Sequence, residues 1–274
     1  MSVITNEISL LVSSDPAAGA QNVSANGSAF TVIMNPPIQI PKEAMNVRVS
    51  LVSAEIWNNT NNVSAALGNN KFYITIAGTP YTLTFEDGLY TVAELSNILN
   101  ILLKNINIGY NGFFSLLPNF STGRILLSFN TATLITVDFT QPNNMAILLG
   151  ADTIIYSNLS TITTTFLPNV AQFNIIDYYL FHTTLISSGM ALNGIYNQIL
   201  SVVPINAAPG SLISFSPFNP AEVKEQQLAG GNGISNIRIF LTDQNNNPVS
   251  TNGETYGARI LIKYEMPYIL RSSS

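Results

Sequence analysis

The chain is written largely in short runs where apolar and polar residues alternate, the period-two signature of strands with one buried face. Val47, Val49 and Leu51 alternate with Arg48 and Ser50; Phe72, Ile74 and Ile76 with Tyr73 and Thr75; Tyr81, Leu83 and Phe85 with Thr82 and Thr84. The last two runs flank Gly78-Thr79-Pro80 and predict a hairpin. Further strands are predicted at 125–129, 134–139, 175–185, 200–205, 212–215, 237–241 and 258–264, nearly all separated by turn residues. Such a series predicts an all-β sandwich or barrel. Two segments break the rule. Thr91 opens a capping box with Glu94, and Val92, Leu95, Ile98, Leu99, Leu102, Leu103 and Ile106 then keep helical spacing. A shorter helical turn is predicted over 142–149, stopped by Gly150. Both apolar stripes read as core packing rather than as a cofactor groove. No repeat and no heptad pattern interrupts the series.

Composition narrows the function classes. Hydrophobic residues make up 46% and charged ones only 9%, so uncharged side chains, among them 33 Asn, fill the polar positions. A mean hydropathy of +0.27 with a net charge of -5 is the composition of a packed chain, not a disordered one. Ten Lys and Arg, scattered singly in a chain of pI about 4.8, form no basic stripe for nucleic acid or an anionic membrane surface. Cysteine is absent, which removes disulfides, thiolate nucleophiles and thiolate-bound metals. The first residues, MSVITNEISLLVSS, lack a positive n-region and do not read as a secretory signal. No apolar run approaches the ~18 residues of a membrane span. Asn-x-Ser/Thr triplets at Asn22, Asn26, Asn58, Asn62, Asn119 and Asn158 are about as many as this composition yields by chance, and no glycosylation is read from them. Asn58, Asn59, Asn61, Asn62, Asn69 and Asn70, and later Asn245 to Asn247, suit tight turns at the ends of a sandwich. An uncharged surface of this kind packs against identical neighbours without burying unpaired charge, which suits assembly. Ser13 to Ser28 shows no periodicity, and residues 1–28 are expected to be an arm, flexible or ordered by neighbouring subunits.

A search for chemistry assigns no catalytic, cofactor-binding or metal-ligating residue. A Ser-His-Asp triad would have to use His182, the single histidine, with Asp177 the nearest acid. Five residues apart on a strand, these two point to opposite faces, so a strand histidine is expected. Glu55 and Trp57 would share a strand face, as in a sugar platform, and Glu86 adjoins Asp87; but Glu86-Asp87-Gly88 reads as a turn, and no carboxylate pair for glycoside hydrolysis emerges. Asp243, Asn245 and Asn247, with Glu254 at the twelfth position, follow the spacing of a calcium loop. Pro248 stands where that loop needs Gly, and strand-like runs flank the segment, so a β-hairpin loop is expected instead. Gly230-Gly231-Asn232-Gly233 has no GK[ST] after it and reads as a flexible loop, not a phosphate cradle.

One stretch resembles a known family. LTFEDGLYTVAELSNILN, FSTGRILLSF and ITVDFTQPNNMAILLGAD together resemble penton proteins of virophages and Polinton-like viruses: a Gly-x-Tyr turn at Gly88 to Tyr90, a capped helix over 91–107, strands over 125–139, and a short helix ending in Leu-Gly at 148–150. The C-terminal SNIRIFLTDQNNNPVSTNGETYGARILIKYE resembles the closing pair of strands in the same proteins. Ala151 stands where the family commonly has Phe. The resemblance implies a single jelly-roll β-sandwich carrying an inserted mixed α/β or β-rich domain with one capped helix, in the lineage that includes adenovirus penton base. It implies no enzymatic activity and no cofactor. It also implies a homopentamer at the five-fold vertices of an icosahedral virion, assembled in the host cell and contacting the major capsid protein. The expected division is 1–68 with 161–274 for the jelly roll and 69–160 for the insertion. The alternative from another class is a glycan- or receptor-binding jelly-roll module, with Trp57, Tyr73 or Tyr90 stacking on sugar. A β-sandwich glycosidase is a third reading.

Overall fold

The computed structural model describes residues 3–229 and 233–267. Except for Gly233, the expected loop at 230–233 lies outside the described residues. The chain forms two compact units, Met1–Asn59 with Ile176–Ser274, and Thr60–Ile175.

The first unit is a two-sheet sandwich. Its strands are β1 (Val3–Ser13), β2 (Ala29–Ile38) and β3 (Met45–Trp57), then, after the second unit, β11 (Tyr178–Thr183), β12 (Met190–Leu192), β13 (Ile195–Pro204), β14 (Leu212–Phe215), β15 (Glu222–Lys224), β16 (Ile234–Thr242) and β17 (Gly257–Pro267). One sheet runs β1-β17-β3-β14, with β15 also on β3, and the other runs β12-β13-β11-β16-β2. The first strand thus pairs with the last and the second with the last but one, all antiparallel. That nested pairing, with the chain stepping from sheet to sheet, is a jelly roll of interlocked Greek keys. Between the sheets lie Phe30, Val47, Val49, Leu51, Tyr179, Phe181, Leu200, Ile237, Ile239, Ile260 and Ile262, all buried. The alternation in β3 and β16 is what directs these side chains inward.

Two expectations are corrected here. Residues 3–28 are part of the sandwich rather than an arm: β1 pairs with β17 along its whole length, and Ser14 Oγ accepts from the Tyr256 N–H at 2.8 Å. The missing periodicity after Ser13 reflects a loop folded back on the sheet, where Gln21 bridges Thr31. The closing strands are not a hairpin either. β16 pairs with β2 and β11 while β17 pairs with β1 and β3, so residues 243–256 cross between sheets. Local alternation marks a strand but not its partner.

The second unit contains β4 (Lys71–Ile76), β5 (Thr79–Thr84), α1 (Val92–Ile106), β6 (Phe114–Asn119), β7 (Arg124–Phe129), β8 (Ile135–Asp138), α2 (Ala146–Leu149), β9 (Ile155–Ser157) and β10 (Thr163–Phe166). Its sheets run β5-β4-β8-β9 and β10-β7-β6. The hairpin turns on Ala77 and Gly78, both with positive φ (49° and 81°), the type I′ geometry that matches strand twist. The Thr91 capping box is formed on both sides, and Leu95, Leu99 and Leu103 bury one helix face. Phe72, Phe114, Phe129 and Phe139 meet at ring separations of 5.2–5.8 Å and fill the core. Gly150 ends α2 at φ 77°; a Cβ there would collide with the Asn169 carbonyl.

The units divide at 59/60 and 175/176 rather than at 68/69 and 160/161. The reason is local: Asn62 and Val63 are buried in the second unit, and Thr163 to Phe166 pair with β7.

Candidate functional site

The chemistry-bearing side chains are dispersed. His182 lies on β11 and is only 2% exposed. Its ring stacks on Phe240 (centroids 4.3 Å, 12° between planes), and Nε2 lies 2.9 Å from Thr242 Oγ1. Burial pushes the imidazole down to about 4, so it is neutral at pH 7. Asp177 precedes the strand and is exposed, and its backbone N–H donates to Gln244 Oε1. No triad geometry joins the two.

Glu55 and Trp57 do share the outward face of β3, opposite Ser214 and Leu212 of β14. Asp87 Oδ1 accepts from the Ala65 N–H at 2.8 Å, and Gly88 bridges Val63, so 86–88 is a bend tied to the segment entering the unit. The Tyr90 ring packs edge-on against Phe85, and its hydroxyl donates to the Glu86 carbonyl; desolvation, with the nearby carboxylates of Glu86, Asp87 and Glu94, raises that phenol. Tyr73 is tied through its hydroxyl to the Pro142 carbonyl. Of the three aromatic side chains proposed for sugar stacking, two are therefore engaged in the second unit's own structure.

Asp243 caps its own loop. Its carboxylate accepts from the backbone N–H groups of Asn245 and Asn247 (2.9 and 2.8 Å) and from Asn247 Nδ2. The calcium-like spacing is thus an Asx turn in the crossing between sheets. No group of three or more His, Asp or Glu with metal-holding geometry occurs among the described residues.

The asparagines of the two clusters act through their side chains more than through left-handed backbone. Among the nine clustered Asn residues named above, only Asn246 has positive φ. Asn62, 1% exposed, accepts from the Tyr90 N–H and donates to the Tyr90 and Phe173 carbonyls. Asn158, equally buried, accepts from the Ile135 N–H and donates to the Thr131 and Thr133 carbonyls. Both head Asn-x-Ser/Thr triplets, and their burial leaves neither amide open to a glycan.

One row of charge is organised on the outer face of the first sheet. Glu7, Lys263 and Arg48 stand in register across β1, β17 and β3. Glu222 of β15 bonds Arg48 at 2.7 Å and approaches Lys263 at 3.5 Å, while Lys263 lies 3.6 Å from Glu7. The Arg48 hydrogen bond holds the Glu222 carboxyl below its usual range. Sequence reading missed this row because strand register was invisible to it. Exposed pairs of this kind contribute little stability. A separate ion-dipole contact buries Glu225, whose carboxylate accepts from Ser187 N–H and Oγ–H (2.5 and 2.7 Å) and from Gln227 N–H.

No helix among the described residues is long and apolar enough to cross a membrane. No family model matches the sequence, and no curated protein does. Among solved structures, the chain is similar to the mavirus penton protein, with a TM-score of 0.49 and 10% identity, over 96% of this chain and 100% of that one.

Proposed function

We propose that this chain is a structural capsid protein: a penton that closes as a homopentamer at the five-fold vertices of an icosahedral virion and contacts the surrounding major capsid protein. It acts without catalysis, cofactor or nucleic acid. On this reading it is assembled in the host cell and resides at the capsid vertex. The observation that carries it is a coincidence of topology and sequence. The jelly-roll pairing of the first unit is interrupted between β3 and β11 by residues 60–175. That interruption bears the marks shared with penton proteins: the Gly88 to Tyr90 turn, the capped helix α1, strands β7 and β8, and the α2 stop at Gly150.

A jelly roll serves capsid, lectin and other domains alike, so the fold does not decide function by itself. The distribution of side chains supports the structural role. The interior of the sandwich is aliphatic and aromatic. Large apolar side chains instead stand in solvent, Phe218 at 97% and Phe120 at 92% exposed, with Leu11, Ile195 and Leu159. Large apolar side chains left in solvent are of the kind that a subunit buries against neighbours.

Light scattering coupled to size exclusion tests the ring. The expected mass is five times 29.6 kDa. A dimer or trimer contradicts the proposal, and so does a monomer that persists with the major capsid protein present.

A further inference from the structure

The outer face of the second sheet holds a feature that the capsid reading does not use. Across β2, β11, β12, β13 and β16 there is one side chain with a full charge at pH 7, Arg238. On the outer face it stands between Thr31 of β2, its register partner, and Thr184, which follows β11. Asn236 and Ile33 form the next row. Together with Asn22 and Ser235 these residues line a cleft of about 590 Å³.

The guanidinium is positioned but not neutralised. Its Cζ lies 5.4 Å from the centre of the Phe240 ring, which in turn stacks on the neutral His182. The backbone beneath it is locked by two bonds, Arg238 N–H to Thr184 Oγ1 and Thr184 N–H to the Arg238 carbonyl, each 3.0 Å. The ion pairs among the described residues all lie on the other sheet, so the Arg238 fork has no carboxylate partner.

We propose that this cleft binds an acidic saccharide, with the sugar carboxylate on Arg238. The planar fork of an arginine matches a carboxylate bidentately, and its stacking partner holds it ready for that contact. One charge answers one charge: in a chain of net charge -5 a polyanion would be repelled, whereas a monocarboxylate is compensated. The other lining groups are hydroxyls and amides, which both donate and accept, as a polyhydroxylated ring requires. Ile33, half exposed, offers an apolar surface to the C–H face of such a ring. The volume falls within the ~300–1,000 Å³ range of small-molecule sites. None of Trp57, Tyr73 and Tyr90 takes part, and the site needs no pentamer, so its failure would leave the capsid proposal standing.

Saturation-transfer NMR on the full chain, with sialyllactose, glucuronic acid, lactose and acetate as probes, tests this directly. The expected result is saturable binding of at least one acidic sugar, with lactose and acetate much weaker. Arg238→Ala should weaken the acidic sugar by about tenfold or more, and Arg238→Lys, which keeps the charge but not the fork, by an intermediate factor. Arg238 is exposed, so both variants should fold, and Trp57→Ala should bind as the parent does. Equal binding of lactose, equal binding of acetate, unchanged affinity of Arg238→Ala, or no binding of either acidic sugar would each overturn the proposal.

Discussion

Replacing Asn62 with alanine is expected to destabilise the 60–175 unit by about 3–5 kcal/mol. Three points of the chain converge on this one amide. Oδ1 accepts from the Tyr90 N–H at 2.8 Å, and Nδ2 donates to the Tyr90 carbonyl at 2.8 Å and the Phe173 carbonyl at 3.2 Å. Asn62 therefore ties the segment entering the unit to the residue before the helix cap and to the segment leaving it. The neighbouring bridge between Val63 and Gly88 runs alongside. Alanine removes all three bonds and leaves buried backbone groups without partners, which is why the loss exceeds that of a surface hydrogen bond. Thermal unfolding should show the unit's transition fall by roughly 10 °C or more. Asn62→Asp keeps the acceptor but sets a buried carboxylate oxygen against the Tyr90 and Phe173 carbonyls, so it should destabilise the unit at least as much as alanine does. A change below about 1 kcal/mol in Asn62→Ala would show that the amide is not the clamp described here.

Acid is expected to weaken the jelly roll in a window set by His182. Burial lowers its pKa from 6.5 to about 4, so between those values the unfolded chain binds a proton that the folded chain refuses. The stabilisation is complete above pH 6.5, declines as the pH falls towards 4, and is flat below that. A shift of this size corresponds to about 3 kcal/mol, and the ring's place on the lining of an open cleft of about 220 Å³ reduces it to roughly 2 kcal/mol. Asp138 and Glu222, whose carboxyls are held below their usual values of 3.8 and 4.5, begin to release their contributions only as the pH falls to about those values, so the histidine dominates the upper part of the window and Glu222 joins it at the lower end. His182→Phe keeps a ring against Phe240, and Thr242 Oγ1 retains Asn246 Oδ1 at 3.4 Å. Urea unfolding at pH 7 and pH 4.5 should show the loss in the parent and a flattened profile in the variant; equal slopes would remove His182 as the cause.

Much of the local structure was legible in the sequence, because it depends on neighbours within a few residues. The alternation of Phe72, Ile74 and Ile76 gave a strand with those three side chains buried, and Thr91 with Glu94 gave the helix start. Pairing between sheets was not legible. Ile237 to Leu241 and Ala258 to Tyr264 alternate in the same way, yet they enter opposite sheets, a choice made by the whole core rather than by the loop between them. The N-terminal segment was misread for the same reason, since β1 finds its partner, β17, at the far end of the chain. From sequence, Asn62 reads as a turn residue and Asn158 is given no role; only burial reveals both as clamps. Arg238 drew no notice as an isolated cation among polar residues, because its neighbours Thr31 and Thr184 are remote in sequence and meet it only across strands.

An icosahedral reconstruction of particles assembled with this chain tests the central claim most directly. The account predicts density at the five-fold vertices into which the jelly roll, with the 60–175 unit, fits once per subunit of a closed five-membered ring, and which vanishes from particles lacking the chain. Density for the same fold at capsomers away from the vertices, or particles whose vertices are unchanged when the chain is absent, would contradict it.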